Sequence, residues 1–113
     1  MLKKGGYMAK FYGMGNYTAK AFQGFIKDPG QDRSKAVEAV ANSLGAKVHG
    51  FDLLRGPYDF VVIMEGTFTQ MAAAKLAVEA TGAISNFTIS EAIDLNAAAK
   101  EAGKVAAAYK PAG

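Results

Sequence analysis

Hydrophobic and polar positions alternate near the start of the chain and then change to a helical period. Residues 8–17 (MAKFYGMGNY) predict a first strand, weakened by two glycines. Thr18 follows as a candidate N-cap. Phe22, Phe25 and Ile26 then fall at i, i+3 and i+4, on one face of a short helix.

The clearest helical pattern comes after an Asp-Pro-Gly break at residues 28–30. Gly45 stands just past its end, where a left-handed residue closes a helix. Its apolar residues recur at i, i+3, i+4 and i+7: Val37, Val40, Ala41 and Leu44.

Two strands and a short connection follow this helix. Residues 47–54 and 58–65 predict the strands, and residues 55–57 (Arg-Gly-Pro) join them. Pro57 lacks an amide hydrogen, so it belongs in the turn or at the start of a strand. Because residues 60–64 (FVVIM) are apolar at both parities, the second strand should be central and covered on both faces.

Thr67 and Gln70 then form a capping-box pattern that opens a helix through Ala80, and Gly82 closes it. A strand with one apolar and one small polar side comes next. Phe87, Ile89 and Ile93 form the apolar side, and Asn86, Thr88 and Ser90 form the polar side. An alanine-rich helix begins at Leu95 and ends before Pro111; its stripe is Leu95, Ala98, Ala102, Val105 and Tyr109.

This order of elements predicts an α+β fold of the ferredoxin-like type. The βαββαβ arrangement gives a four-stranded antiparallel sheet with its helices on one face, followed here by an extra C-terminal helix. We expect a single domain over residues 1–113. Its core covers about 8–94, and residues 95–113 form the C-terminal helix and tail.

The side of the sheet without helices needs a cover, because the central strand is apolar on that side too. A second copy of the sheet is the obvious cover and predicts a homodimer with a barrel-like interior. Two alternatives stay open there: a ligand cavity, or a dry packed interface. Its lining would be Tyr58, Phe60 or their opposite-parity neighbours, together with Asn86, Thr88 and Ser90.

Composition and charge argue against two classes of partner, nucleic acids and membranes. The net charge is +3, but the lysines are scattered, so we expect no nucleic acid to bind. The longest apolar run, residues 60–64, is too short to cross a bilayer, and we expect no membrane partner. No apolar stretch follows the basic pair near the N-terminus, which favours a cytoplasmic protein. The chain has no cysteine and therefore no disulfide.

The chain resembles the GYD-domain family over about residues 11–93. Five short motifs carry the resemblance: Asn16-Tyr17-Thr18, Ser43-Leu44-Gly45, Gly56, Tyr58-Asp59 and Thr81-Gly82-Ala83. The resemblance implies a dimeric α/β barrel, usual in small bacterial proteins, and leaves the activity open. The alanine-rich tail lies outside the match, and Phe51-Asp52-Leu53 departs from the more aromatic strand ending of the family.

The Gly-x-Tyr-Asp turn also looks like one in the effector-binding domains of leucine-responsive transcriptional regulators. That likeness implies that Gly56 and Asp59 face a ligand at a subunit interface. The chain has no helix-turn-helix segment, so the likeness implies a free-standing effector domain at most.

Few residues carry candidate chemistry. Asp59 either accepts hydrogen bonds from a ligand amine or accepts the backbone amides of the turn at 55–57, and the second role is favoured. His49 is the sole histidine, and it differs in parity from Asp52, so we expect no metal site. Gly13-Met14-Gly15 lacks the third glycine of a phosphate loop. No cofactor is expected.

Three hypotheses follow. The first is a homo-oligomeric small-ligand-binding or interaction domain, with Gly56, Asp59, Asn86 and Thr88 as ligand-facing residues. The second is a cofactor-independent enzyme that acts on a small organic molecule, with His49, Tyr58 and Asp59 as its catalytic candidates. The third is a structural subunit of a larger assembly that docks through the C-terminal helix.

Overall fold

The computed structural model describes residues 2–3 and 6–112. The strands are β1 (Leu2–Lys3), β2 (Gly6–Tyr7), β3 (Ala9–Tyr17), β4 (Lys47–Leu53), β5 (Phe60–Gly66) and β6 (Ile84–Glu91). The helices are α1 (Ala19–Lys27), α2 (Arg33–Leu44), α3 (Phe68–Ala80) and α4 (Leu95–Ala108). The β1–β2 pair forms a separate small ladder that the sequence pattern did not predict.

The main sheet has the strand order β4-β5-β3-β6, and every neighbouring pair is antiparallel. This order confirms the α+β, ferredoxin-like βαββαβ prediction with an added C-terminal helix. It also confirms that β5 is central, since β3 and β4 flank it. The predicted β5 start at residue 58 is wrong: β5 begins at Phe60, and the connection spans residues 54–59, so Tyr58 and Asp59 lie in a loop.

One face of the sheet packs against the helices and forms the core. Alternate residues of β3 and β5 point into it, and α2 and α3 supply small and flexible side chains that fill the layer between. Burying each large apolar side chain stabilises the fold by roughly 1.5–3 kcal/mol. The buried core residues are Phe11, Tyr17, Ala41, Ala46, Phe60, Val62, Met64, Met71, Ala74 and Phe87.

The two glycines of β3 make room for this core. A Cβ on Gly13 would lie 2.8 Å from the Phe87 ring, and one on Gly15 would lie 2.9 Å from the Phe60 ring. Aromatic rings from neighbouring strands therefore occupy the space that side chains would take. These glycines serve packing, which explains the Gly-Met-Gly sequence without a phosphate loop.

The helix ends largely follow the sequence. Thr67 and Gln70 form both hydrogen bonds of the capping box, which is confirmed. Gly45 has a φ of 76°, which confirms a left-handed end for α2. Thr18 is the N-cap of α1 by position, but its hydroxyl donates to the Gly82 carbonyl at 2.7 Å and does not cap the helix.

A bulge in β4 corrects the parity argument made from the sequence. The register shifts between Val48 and Gly50, so that Val48 lies opposite the buried Met64 and Asp52 lies opposite Val61. The extra residue at the bulge is His49. His49 and Asp52 therefore lie on the same side of the sheet, and the prediction that they lie on opposite sides is wrong.

The other face of the sheet carries no helix among the described residues, and we call it the open face. Its centre is a strip of half-buried apolar side chains: Tyr12, Met14, Val61 and Ile63. Of the two alternatives for the lining, the opposite-parity neighbours Val61 and Ile63 lie here. Phe60 faces the helices and is only 3% exposed.

The C-terminal helix α4 has no buried residue. The radius of gyration is 17.9 Å, against about 13 Å for a compact chain of this length, because α4 projects from the body. Over the described residues, the helices are all too short or too polar to span a membrane.

Candidate functional site

Asp59 fastens the loop at residues 54–59 to the end of β3. Its Oδ2 accepts hydrogen bonds from the Tyr17 amide at 2.9 Å and from Asn16 Nδ2 at 3.3 Å. Its own amide donates to the Gly15 carbonyl at 2.8 Å, and its carbonyl accepts from the Leu54 amide. The prediction that Asp59 accepts amides of residues 55–57 is wrong, because its carboxylate reaches across to β3.

Asn16 links this loop to β6. Its side-chain amide donates to the Pro57 carbonyl at 2.9 Å as well as to Asp59, and its Oδ1 accepts from Asn86 Nδ2 at 3.1 Å. Asn86 has a φ of 52°, in the left-handed region where asparagine is tolerated better than most residues. The three side chains form a continuous polar chain at one end of the open face.

A second bulge produces the backbone of Asn86. Met14 pairs with Thr88 and Asn16 pairs with Ser85, so Gly15 lies opposite two residues of β6. The Thr88 hydroxyl donates to the Met14 carbonyl at 3.3 Å beside this irregularity.

Two residues of α3 hold the backbone of the bulge. Glu79 Oε2 accepts the Phe87 amide at 2.9 Å, and Lys75 Nζ donates to the Phe87 carbonyl at 2.7 Å. Lys75 and Glu79 also form an ion pair at 2.8 Å. Hydrogen bonding to Lys75 first, and then to the Phe87 amide, lowers the pKa of Glu79.

The hydrogen bonds of the polar chain leave acceptors available. Both amide hydrogens of Asn16 and one of Asn86 are donated within the chain, whereas Asp59 Oδ1 has no partner among the described residues. The Thr88 hydroxyl, which donates to Met14, keeps its lone pairs. This end of the open face therefore offers oxygen acceptors and one carboxylate charge to a ligand.

Gly56 and Tyr58 make no hydrogen bond of the polar chain, although the sequence suggested them as site residues. Gly56 is exposed, and a Cβ there would meet nothing within 4 Å, so no neighbour requires a glycine. Tyr58 is half-buried in the loop. Asn16 is the residue that sequence reasoning missed as a hub; the Asn-Tyr-Thr motif contained it, but its partners lie 41 to 70 residues away.

His49 lies at the opposite end of the same face. Its Nε2 is 2.9 Å from Glu65 Oε1, with the two side chains 48% and 38% exposed. In the register, Glu65 lies between Lys10 of β3 and Lys47 of β4. Six residues of strand separate Asp59 from Glu65, about 20 Å. The predicted catalytic set of His49, Tyr58 and Asp59 is therefore not one site.

The interior of the single subunit offers no alternative site. A partly open cavity of about 60 Å³ lies between the helices and the sheet, and apolar residues alone line it. Ligand pockets usually measure roughly 300–1,000 Å³ and include a few polar groups. In residues 2–3 and 6–112, no three or more His, Asp or Glu side chains cluster as metal ligands would.

Comparison with known proteins identifies the protein family. A family model described as the GYD domain matches residues 11–102. The match runs beyond residue 93 into α4, so the expectation that the whole alanine-rich tail lies outside it is wrong. Searches of curated proteins and of solved structures gave no match.

Proposed function

The chain belongs to the GYD-domain family, and from that premise we propose that it is a homo-oligomeric domain that binds a small ligand between the open faces of two copies. The observation that carries the proposal is the strip of Tyr12, Met14, Val61 and Ile63. These side chains are only half-buried in one subunit, although they lie at the centre of the sheet.

A second copy is a suitable cover for this strip. Seven residues along four strands give the open face a footprint of about 23 by 19 Å. The apolar strip at the centre of this footprint gains free energy when another sheet removes it from water, at roughly 25 cal/mol per Å². Facing sheets pack about 10 Å apart, so side chains of unequal size leave space between them.

The ends of the open face suggest the chemistry of the ligand. Asp59 and Asn86 present acceptors at one end, and the apolar strip begins next to them at Met14 and Val61. A primary ammonium group would supply the donors that these acceptors lack, and it would neutralise the carboxylate. We therefore expect a ligand with an ammonium head and an apolar body.

The oligomeric part is tested by placing a charge on the open face. Ile63→Lys puts an ammonium group into the apolar strip, and we expect the dimer to weaken by at least about tenfold, or 1.4 kcal/mol. Ile26→Lys is the matched control, because Ile26 is 81% exposed on α1. Sedimentation equilibrium gives both dissociation constants. A monomeric parent chain, or equal effects of the two variants, would refute the pairing.

The ligand part is tested with two probes that share an apolar body. We expect phenethylamine to bind in calorimetry and phenylpropionate, which carries a carboxylate, not to bind. Asp59→Asn keeps an oxygen for the Tyr17 amide but removes the charge, so it should lose phenethylamine binding and stay folded. Equal binding of both probes, or full binding by Asp59→Asn, would contradict the assigned head-group site.

The pair of His49 and Glu65 favours a second candidate, a cofactor-independent enzyme. A carboxylate at 2.9 Å orients the imidazole, which leaves Nδ1 available to take a proton from a molecule on the strip. Deuterium exchange next to the carbonyl of phenylpyruvate, followed by NMR, would detect such proton transfer. The candidate predicts that His49→Ala abolishes any exchange above the buffer rate; exchange that survives His49→Ala would exclude His49.

A further inference from the structure

The helix α4 is an amphipathic element without a cover. Leu95, Val105 and Tyr109 are 70%, 63% and 65% exposed, although they lie on one apolar stripe. An isolated helix of fewer than about 12–15 residues is marginal in water, and most helices owe their stability to packing. The 14 residues of α4 therefore call for a surface that buries the stripe.

The body of the molecule has a matching uncovered surface. A groove of about 460 Å³ runs between α3 and β6, and we call it the α3–β6 groove. Beside it, Phe68 and Leu76 of α3 are 68% and 74% exposed. Large apolar side chains of a helix normally face a neighbouring element and not water. The groove is lined by Phe11, Phe68, Met71, Ala72, Lys75, Phe87, Thr88, Ile89 and Glu91.

The stripe of α4 and the helix beside the groove agree in length. At 1.5 Å per residue, α4 and α3 are about 21 Å and 20 Å long. Ala98 and Ala102 in the stripe let two helices approach to about 8–10 Å.

The chain's own α4 does not reach its own groove. The Ala92 amide donates to the Lys10 carbonyl at 2.8 Å, which extends the sheet contact past Glu91. Asp94 Oδ1 accepts the Ala97 amide at 3.1 Å and fixes the start of α4. The connection between β6 and α4, residues 92–94, is thus held by hydrogen bonds at both ends, and α4 has no buried residue in its own chain.

We propose that α4 of one copy docks in the α3–β6 groove of a second copy. Each copy gives one helix and receives one, so a two-fold axis satisfies both stripes and both grooves. The exchanged helices add a footprint of about 200 Å² each, from 21 Å of helix about 10 Å wide. Standard interfaces bury roughly 800 Å² per partner, more than the footprint of the open face alone. The exchanged helices and the open faces use different surfaces of the chain, so each contact can be tested without the other.

Because the chain has no cysteine, cross-linking between copies tests the proposal directly. One chain carries Ala72→Cys in the groove, and a second, distinguishable by a mass tag, carries Ala102→Cys on the stripe. After mixing and treatment with a short bis-maleimide, we expect a covalent heterodimer. The control replaces Ala102→Cys with Lys100→Cys, on the opposite side of α4, and should give much less product.

Two results would overturn the proposal. One is the absence of the heterodimer at concentrations where the chain self-associates. The other is an intrachain link, without a dimer, in a chain that carries both Ala72→Cys and Ala102→Cys, because this shows that α4 occupies its own groove. If the open faces fail to pair while the heterodimer still forms, the exchange stands and the proposed function falls.

A longer connection gives an independent measurement. A Gly-Ser-Gly-Ser insertion after Ile93 releases α4 from its short tether, and we expect the doubly substituted chain to shift from interchain to intrachain links. An unchanged interchain yield after the insertion would show that tether length does not decide where α4 docks.

Discussion

The two faces of the sheet are built from the same strands and differ in what covers them. On β5, Phe60, Val62 and Met64 are 3%, 3% and 6% exposed beneath the helices, whereas Val61 and Ile63 between them stay half-buried. Because side chains alternate along the strand, one side of β5 is fully buried beneath the helices and the other side is only half-buried. The difference teaches that one subunit fills the layer between sheet and helices but leaves apolar side chains half-buried on the other face.

The largest expected effect comes from truncating one residue on each face. Phe60→Ala removes a ring that contacts Tyr17 and Phe87, and we expect it to cost about 3–5 kcal/mol in the free energy of unfolding. Ile63→Ala should cost the single subunit only about 1 kcal/mol and act mainly on self-association. Urea denaturation at low protein concentration measures both; equal losses would contradict the division between the faces.

Added methyl groups should show the same asymmetry at a smaller size. Gly15→Ala places a Cβ 3.3 Å from the Phe87 Cα and 2.9 Å from the Phe60 ring, so we expect a loss of about 1–3 kcal/mol. On the open face, a Cβ on Gly50 lies 3.4 Å from Ile63, an ordinary contact. Gly50→Ala should therefore change the urea midpoint little. A larger loss at Gly50 than at Gly15 would contradict this interpretation.

The parts of the structure that depend on local sequence were predictable. The capping box of Thr67 and Gln70 and the left-handed Gly45 are set by residues within one helical turn. The bulges were not predictable, because each depends on how two paired strands align. The partners of the Asp59 carboxylate lie more than 40 residues away, so a local turn was the natural but wrong expectation.

The sequence predicted one of the two exposed apolar surfaces, the open face, and not the other, the outer side of α3. The apolar run at residues 60–64 predicted a second apolar face correctly. The outer side of α3 also exposes the apolar side chains of Phe68 and Leu76, but the sequence pattern predicted only the bounds and the cap of this helix. Its only charged residues, Lys75 and Glu79, are committed to Phe87, and that commitment is visible only once α3 and β6 are placed together.

Removing the N-cap of α3, which packs on the body, or of α4, which does not, is expected to have different effects on global stability, on a scale of about 1 kcal/mol. Thr67→Ala removes the hydroxyl that accepts the Gln70 amide in α3, and we expect a loss of about 1 kcal/mol in global stability. Asp94→Ala removes the equivalent acceptor in α4. Since α4 lies apart from the body, this change should lower helical circular dichroism and leave the urea midpoint of a dilute subunit unchanged. A shifted midpoint in Asp94→Ala would show that α4 stabilises its own body.

The smallest expected effect is a pH dependence on the covered face. Burial raises the pKa of Tyr17 above its ordinary value of 10.0, with the nearby Arg33 opposing the shift. In the alkaline range the unfolded chain loses this proton first, so the stabilisation is complete below about pH 10 and falls as the pH rises further. A single group changes stability by at most about 1.4 kcal/mol per pH unit.

Tyr17→Phe keeps the ring and removes the titration, so the gap between the parent and variant urea midpoints should shift in favour of the variant between pH 9 and about pH 11. The lysines titrate alike in both chains and cancel in this difference; a gap that stays constant with pH would show that the hydroxyl of Tyr17 is not protected by the core.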